Sequence, residues 1–453
     1  MTHAPSEAAS PAETSSALHA TSPAPAAPTS GWSLARRLAF RFASVYLLLH
    51  VLPFPLGMLP GTQRLSGAYR EAWQALVPWV GQHVLHLDTA ITVFPNGSGD
   101  TTYNHVQLLC FLALAGLVTA AWSARARTPT RHETAHALLR IALRYFLAYT
   151  LVSYGLSKVL WMQFPFPSPE KLVQPLGESS PMGLMWTFMG YSRGFNLFTG
   201  GLEVVGGVLL LFRRTTTLGA VLVAAVMTNV VALNLAYDVP VKLYSSHLLL
   251  MSVFLLLPDL ERIANVLVLN RPTRPVVFRT PFARPWTERG SRAVKVLFAG
   301  WVLYSDASKA LERQASHGED APRHPLHGVY VVESFTRDGQ AVPLLAGDAT
   351  AWRYVLIGTR ERLALRFMDD TGKRFRMADA PEQRLQLTAN SYPGENDPEA
   401  FTLAWSRPEA GHLVVEGVFR GASVQARLKK VEASTFQLVD RGFHWIQEYP
   451  FNR

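Results

Sequence analysis

The stretch LNLAYDVPVKLYSSHLLLMSVFLLLPD, residues 233–259, decides the class of fold to which this chain belongs. Two apolar runs, each suited to lipid, are joined by a short polar turn. Asp238, Lys242 and His247 lie within ten residues of each other in this otherwise apolar sequence. Ionisable groups inside a membrane are costly and normally face a protein interior or an aqueous cavity. The stretch therefore predicts two membrane spans whose junction carries a polar site.

The composition of the whole chain agrees with a membrane protein. Hydrophobic residues make up 49% of the 453 residues and charged residues 17%, against about 25% in typical soluble domains. The formal net charge of +10 does not indicate nucleic-acid binding, since the arginines fall mainly between apolar runs. Cys110 is the one cysteine, so a disulfide or a thiolate metal site within the chain is excluded.

Seven stretches are candidates for crossing a bilayer, which takes about 20 mostly apolar residues. Residues 1–32 are rich in Ala, Pro, Ser and Thr and are expected to be a disordered tail. The transmembrane domain is expected over 33–310. The predicted spans are 42–59, 105–123, 145–163, 196–212, 216–236, 243–258 and 294–310.

The basic residues between the predicted spans give an orientation. Alternate loops carry 17 basic residues against 5 in the others. Because short cytoplasmic loops are enriched in Lys and Arg, the N-terminus is expected in the cytoplasm of a bacterial cell. Seven spans would then place the C-terminal domain in the periplasm. Two further segments, 70–87 and 181–191, suit helices lying at the membrane surface, and Pro78 predicts a break or kink in the first.

Polar residues recur in the third to sixth predicted spans, near the ends that are expected to face the periplasm. Lys158 and Glu203 lie within apolar helix and are expected to pair, because glycines at positions 200, 206 and 207 let another helix approach Glu203. Tyr154 shares a helical face with Lys158. The candidate ligand-binding or proton-transfer residues are Lys158, Glu203, Asn234, Asp238, Lys242 and His247.

Five of these six residues also have a purely structural interpretation. Lys158 and Glu203 can form an ion pair that only fixes helix register. Asp238 and Lys242 can simply be solvated near a loop. His247 can donate to a backbone carbonyl. No metal-ligand pattern is visible.

The region 320–453 changes to short alternating segments and is expected to be an all-β extracytoplasmic domain. Asp338-Gly339 indicates a hairpin. Even spacing of many short strands favours a lipocalin-like antiparallel barrel, with a β-sandwich as the alternative. The aromatic C-terminal tail is expected to pack into a core, with Arg441 and His444 as secondary candidate site residues. The predicted fold is thus an α-helical transmembrane bundle followed by a β-barrel.

Three motifs resemble the DoxX-like group of bacterial integral membrane proteins. They are GLSKV around Lys158, GLEVVGGVLLLF around Glu203, and the run from Asp238 through Lys242 to His247 that ends in HLLLM. The resemblance covers about residues 140–260. It implies a four-helix bundle in the cytoplasmic membrane, and a relation to a subunit of thiosulfate–quinone oxidoreductase found in some members of the group.

Three functions are consistent with the sequence. The first is a non-enzymatic protein that binds or passes a small amphipathic ligand through an outward-facing polar pocket. The second, implied by the resemblance, is a quinone-linked oxidoreductase subunit, for which a bound quinone is the only cofactor suggested. The third is an assembly factor or scaffold with a membrane-protein partner. Neither of the two common phosphate-binding glycine motifs occurs, so no nucleotide site is predicted.

Overall fold

The computed structural model describes residues 32–93, 97–126, 132–273, 275, 285–318, 321–359, 361–390 and 399–452. The expected disordered tail lies outside these residues, apart from Trp32. The helices are α1 (Leu34–Val51), α2 (Gln63–His83), α3 (Thr102–Arg125), α4 (Glu133–Val159), α5 (Pro169–Val173), α6 (Pro181–Tyr191), α7 (Arg193–Leu211), α8 (Thr216–Ala236), α9 (Lys242–Leu256), α10 (Leu260–Leu267), α11 (Pro285–His317) and α12 (Gln437–Asp440).

Six segments of the described chain are long and apolar enough to span a membrane. They contain α1, α3, α4, α7, α8 and α9, and each overlaps one of the first six predicted spans. The chain ends of these helices alternate between two sides. We call the side that holds Arg36, Arg213 and Arg262 the arginine side, and the opposite one the barrel side.

Several arginines assigned to loops from the sequence lie inside helices. The span α1 begins at Leu34, so Arg41 is helical and buried, with Nε 3.3 Å from His132 Nε2 and Nη1 2.7 Å from Ser123 Oγ. The span α4 begins at Glu133 and includes Arg144, which donates to the carbonyl oxygen of Leu210 at 2.8 and 3.0 Å. Arg144 can be buried because backbone carbonyl oxygens accept from its guanidinium, whereas Nη2 of Arg41 is buried without a hydrogen-bond partner among the described residues.

The seventh predicted span is helical, but it is not among the six candidate spans. Residues 294–310 are helical but lie inside α11, which has 33 residues and is too polar to count among the six candidate spans. It nevertheless runs beside α4, with Phe298 against Tyr145, and measures about 50 Å at about 1.5 Å per residue. Lys295 lies among arginine-side residues, and the barrel follows the far end of α11. The helix therefore connects the two sides.

Both segments predicted to lie at the membrane surface are helical. The second is α6, with the expected bounds Pro181–Tyr191. The first forms α2, which begins at Gln63, ends at His83 and continues through Pro78, so of the predicted break or kink the break is wrong.

Helices α4, α7, α8 and α9 form a four-helix group in which sequence neighbours are antiparallel. Glycines set the contact between α4 and α7. A Cβ on Gly207 would lie 2.9 Å from the carbonyl oxygen of Ala148. The expectation that glycines around Glu203 admit a neighbouring helix is confirmed for α4, whereas Gly206 faces Val223 of α8 instead.

The C-terminal domain is a closed antiparallel barrel, as predicted. Its strands are β1 (Gly328–Arg337), β2 (Gln340–Val342), β3 (Trp352–Ile357), β4 (Arg362–Phe367), β5 (Gly372–Ala380), β6 (Arg384–Ala389), β7 (Ala400–Ser406), β8 (His412–Phe419) and β9 (Ala422–Val431). The order is β2-β1-β3-β4-β5-β6-β7-β8-β9, and β1 also pairs with β9. Eight strands therefore close the barrel, and the short β2 adds to the end of β1.

The β1–β2 hairpin forms at the predicted dipeptide. Asp338 and Gly339 have φ of 50° and 76°, and Arg337 pairs with Gln340 across them. Left-handed values at both positions suit a two-residue hairpin turn.

The barrel interior is filled by its own side chains. Trp352, Phe335 and Phe375 are among the largest, and each is at most 2% exposed. The aromatic tail does not contribute to this core, contrary to expectation. Phe443 and Trp445 remain 76% and 90% exposed, because the strands supply enough large side chains to fill the interior without them.

The barrel docks on the segment between α4 and α7. Val173 of α5 packs on the barrel residues Val329, Leu356 and Ala364. Two ion pairs flank this contact, and they join Arg374 to Glu170 and Arg366 to Glu178. The hydrogen bond from Arg366 to Glu178 raises the pKa of the guanidinium above its usual value. The barrel is thus held against α5 by one apolar contact and two charged ones.

Candidate functional site

A cavity of about 680 Å³ lies in the barrel-side half of the four-helix group. Helix α6 covers it with Met182, Met185, Trp186 and Met189. Helices α7 and α8 add further apolar side chains. Pockets of this size with mostly apolar walls are typical of small-molecule sites.

The ion pair expected between Lys158 and Glu203 is present in the wall of this cavity. Lys158 Nζ lies 2.7 Å from Glu203 Oε2 and 2.9 Å from Oε1. The two residues are only 7% and 3% exposed. Close packing of α4 on α7 places them opposite each other, and Lys158 also lies over the ring of Tyr154 at 5.9 Å. Each charge of the pair is satisfied by its partner, so the wall is polar but formally neutral.

Asn234 and Tyr154 also line this cavity, as the sequence analysis expected of a shared site. The Asn234 amide donates to Ser245 Oγ at 3.0 Å and joins α8 to α9. Tyr244, which the sequence analysis did not single out, lies near Tyr154 across the cavity at a ring distance of 6.2 Å. The ion pair and these polar side chains therefore line the same mostly apolar space.

Asp238 and Lys242 do not join this group, which corrects the expectation of a single site. They pair with each other at 2.8 Å in the turn between α8 and α9, where the Asp238 side chain is 82% exposed. Asp100 accepts from the backbone N–H groups of Lys242 and Leu243 at 2.7 and 2.9 Å. It thereby caps α9 from a distant loop. The two charges at this turn thus belong to an exposed, capped loop rather than to the cavity.

His247 belongs to a second cavity of about 470 Å³, which shares Tyr154 and Tyr244 with the first. Its Nδ1 donates to the carbonyl oxygen of Leu243 at 2.6 Å. Its Nε2 must then accept from the hydroxyl of Tyr46, which lies 2.7 Å away. The ring centroid of His50 on α1 is 3.8 Å from that of His247. Two histidines and a tyrosine thus meet beside the first cavity.

The secondary candidates on the C-terminal tail lie apart from both cavities. Arg441 stacks on Phe451 at 4.0 Å and donates to Gln447, and His444 is exposed. In the part of the chain that the structure describes, no group of three or more His, Cys, Asp or Glu is placed to hold a metal ion.

One helix and three side chains at or beside the two cavities could not be recognised from the sequence alone. They come from the cover α6 and from Tyr244, His50 and Tyr46. The methionines at positions 182, 185 and 189 were a weak signal, since flexible apolar side chains often line adaptable binding surfaces.

The comparisons with known proteins concern one segment of the chain. The chain is 37% identical over 123 residues to the uncharacterized protein YwoB of Bacillus subtilis (strain 168), and these residues are 27% of this chain and 78% of YwoB. The chain belongs to the YwoB family. YwoB is itself uncharacterized, so this kinship identifies no substrate. No family model and no solved structure matches the chain.

Proposed function

We propose that this protein binds a small amphipathic molecule in the cavity under α6, as a multi-pass protein of a bacterial cytoplasmic membrane. Its N-terminus lies in the cytoplasm and its barrel in the periplasm. The excess of basic residues on the arginine side supports this orientation. The resemblance to DoxX-like proteins supports the choice of membrane.

The buried pair of Lys158 and Glu203 is the observation that carries the proposal. Two charges inside an apolar membrane helix bundle are expensive, and such groups usually mark a ligand or ion path. The pair joins α4 to α7 and also lines the cavity. A pair that only fixed helix register would not need to face a space large enough for a ligand.

The walls restrict the chemistry of the ligand. Most of the lining side chains are apolar, so the body of the ligand is apolar. The polar side chains of the lining include the ion pair, two tyrosines and two asparagines, Asn229 and Asn234. Because the pair is neutral, an uncharged polar head group such as a carbonyl or a hydroxyl fits better than a fully charged one.

The barrel contributes through its outer surface. Its interior is filled, and the segment on which it docks leads directly into α6. The barrel therefore anchors the chain that covers the cavity, and movement of α6 would let the ligand enter or leave.

Mass spectrometry of the molecules that co-purify with the protein in mild detergent tests this function. We expect the wild-type protein to retain a lipid-soluble compound that is absent from a folded variant with both Lys158→Met and Glu203→Leu. The proposal fails if the same compounds are recovered in equal amounts from both proteins.

A quinone-linked redox function is the second candidate, and the His50–His247–Tyr46 cluster favours it. These groups could donate or accept protons next to a quinone held in the first cavity. A water-soluble short-chain quinone should then raise the melting temperature of the wild-type protein. The effect should weaken in His247→Phe if the cluster serves the quinone, and an unchanged effect would remove the cluster from this function.

A further inference from the structure

A third cavity, of about 880 Å³, opens on the arginine side between α4, α8, α10 and α11. Its charge is strongly one-sided. Asp259 is the single carboxylate among its described lining residues. The basic residues that line it are Arg140, Arg144, Arg213, Arg214, Arg262 and Lys295.

The carboxylate of Asp259 is already satisfied within the protein. It accepts from Arg262 at 3.0 Å and from Thr217 at 2.9 Å, and Arg140 lies 3.7 Å away. It carries one negative charge against the six basic residues of the described lining.

The start of α8 adds to the positive potential. This helix of 21 residues begins at Thr216, in the cavity wall, and has no acidic residue in its first turn. The hydroxyl of Thr215 donates to the carbonyl oxygen of Leu209 at 2.7 Å and does not cap the helix. The first backbone N–H groups of a helix and its dipole favour an anion at this end.

Part of the lining of the same cavity forms an exposed apolar wall. Leu218, Val266 and Leu267 are 62%, 55% and 71% exposed, respectively. Val266 and Leu267 belong to α10, which also carries Arg262. Cationic and exposed apolar side chains thus line one cavity.

We propose that this cavity binds the phosphate head group of an anionic phospholipid, with the acyl chains against Leu218, Val266 and Leu267. The cationic wall takes the phosphate, and a basic pocket between membrane helices is a known type of lipid head-group site. A soluble phosphate would make no use of the apolar wall. The inference is independent of the ligand proposed for the barrel-side cavity.

Enrichment of arginine on this side of a membrane protein has a simpler explanation, which is its orientation in the bilayer. Bulk positive charge and a built site make different predictions. If only bulk charge matters, any two exposed arginines on this side should contribute equally to lipid binding. If the cavity is the site, Arg213 and Arg214 should matter much more than exposed arginines elsewhere on the same side.

The experiment compares two double variants of the full chain in mild detergent after delipidation. The cavity variant is Arg213→Gln with Arg214→Gln. The control is Arg36→Gln with Arg125→Gln, which removes the same charge from exposed positions on the same side. Binding is measured by native mass spectrometry and by the melting temperature, with phosphatidylglycerol, phosphatidylcholine and inorganic phosphate as separate probes.

We expect wild type and control to bind phosphatidylglycerol more tightly than phosphatidylcholine, and the cavity variant to bind phosphatidylglycerol about 30-fold more weakly. Equal loss in both double variants would overturn the proposal, as would equal binding of the two lipids by wild type. Full stabilisation by inorganic phosphate would also overturn it in favour of a soluble anion. Should the double cavity variant not fold, Arg214→Gln against Arg125→Gln decides by the same criteria.

Discussion

Gly155 of α4 and Gly200 of α7 face each other so closely that a Cβ on either would lie 2.6 Å from the carbonyl oxygen of the other. This contact lies one helical turn from Lys158 and from Glu203 along the respective helices. Two backbones in such close approach leave the long side chains of Lys158 and Glu203 to meet across the same interface. The glycines therefore control the geometry of the ion pair.

Replacing Gly200 by alanine should separate α4 from α7. The added Cβ would meet backbone atoms, which cannot move aside as a flexible side chain can, and overpacking of this kind costs about 1–3 kcal/mol. We expect a lower melting temperature in detergent. Gly201→Ala is the matched control, because a Cβ there meets nothing within 4 Å. Equal melting temperatures for the two variants would show that the close approach does not limit stability.

Removing one member of the buried ion pair should be worse than removing both. Glu203→Gln or Lys158→Met leaves one charge unpaired in a low-dielectric site, at a cost of about 3–5 kcal/mol. The combined Lys158→Met and Glu203→Leu variant should recover most of that loss. Thermal unfolding of the three variants measures the difference. A double variant that is less stable than either single one would mean that the pair itself stabilises the fold.

The docked barrel should depend more on Val173 than on its flanking ion pairs. Val173→Asp places a charge in the apolar contact with Val329, Leu356 and Ala364. We expect faster hydrogen exchange over residues 169–178 in this variant. Leu176→Asp is the control, since Leu176 is 74% exposed in the same segment. Glu178→Gln should have a smaller effect, because partly exposed ion pairs contribute little. Unchanged exchange in Val173→Asp would contradict the docking contact.

The orientation can be checked with single cysteines in a Cys110→Ser background. A membrane-impermeant maleimide added to intact cells stripped of their outer membrane should label Leu176→Cys and Trp445→Cys. It should label Arg125→Cys only after lysis. Labelling of Trp445→Cys and Arg125→Cys on the same side would show that α11 does not cross the membrane.

Much of the fold could be predicted from periodicity, because lipid and barrel interiors impose regular patterns. The bounds of α6 and α8 agree with the sequence. The start of α4 could not be found, because the apolar run in the sequence begins only after Arg144. Tertiary structure alone shows that carbonyl oxygens of α7 accept from the Arg144 guanidinium. The full length of α11 could not be found either, since its polar ends extend beyond the apolar residues 294–310. A helix packed against α4 needs only part of its surface to be apolar.

The candidate site was only partly predictable, for a different physical reason. Lys158 and Glu203 stand out because each is a charge within apolar helix, and glycine spacing shows which face is packed. Asp238 and Lys242 also stand out by composition, yet a distant residue, Asp100, fixes their turn on the surface. The partner of His247 comes from α1, about 200 residues earlier, and no local pattern records that contact.

The pairing of β1 with β9 brings the entry and exit of the barrel to neighbouring strands. The domain follows α11 in the chain and, among the residues that the structure describes, contacts the helical region at the segment that contains α5. Such a domain can be gained, exchanged or lost in evolution as one unit without changes to the packing of the helices. The same arrangement makes it a natural unit to express alone or to graft onto another scaffold.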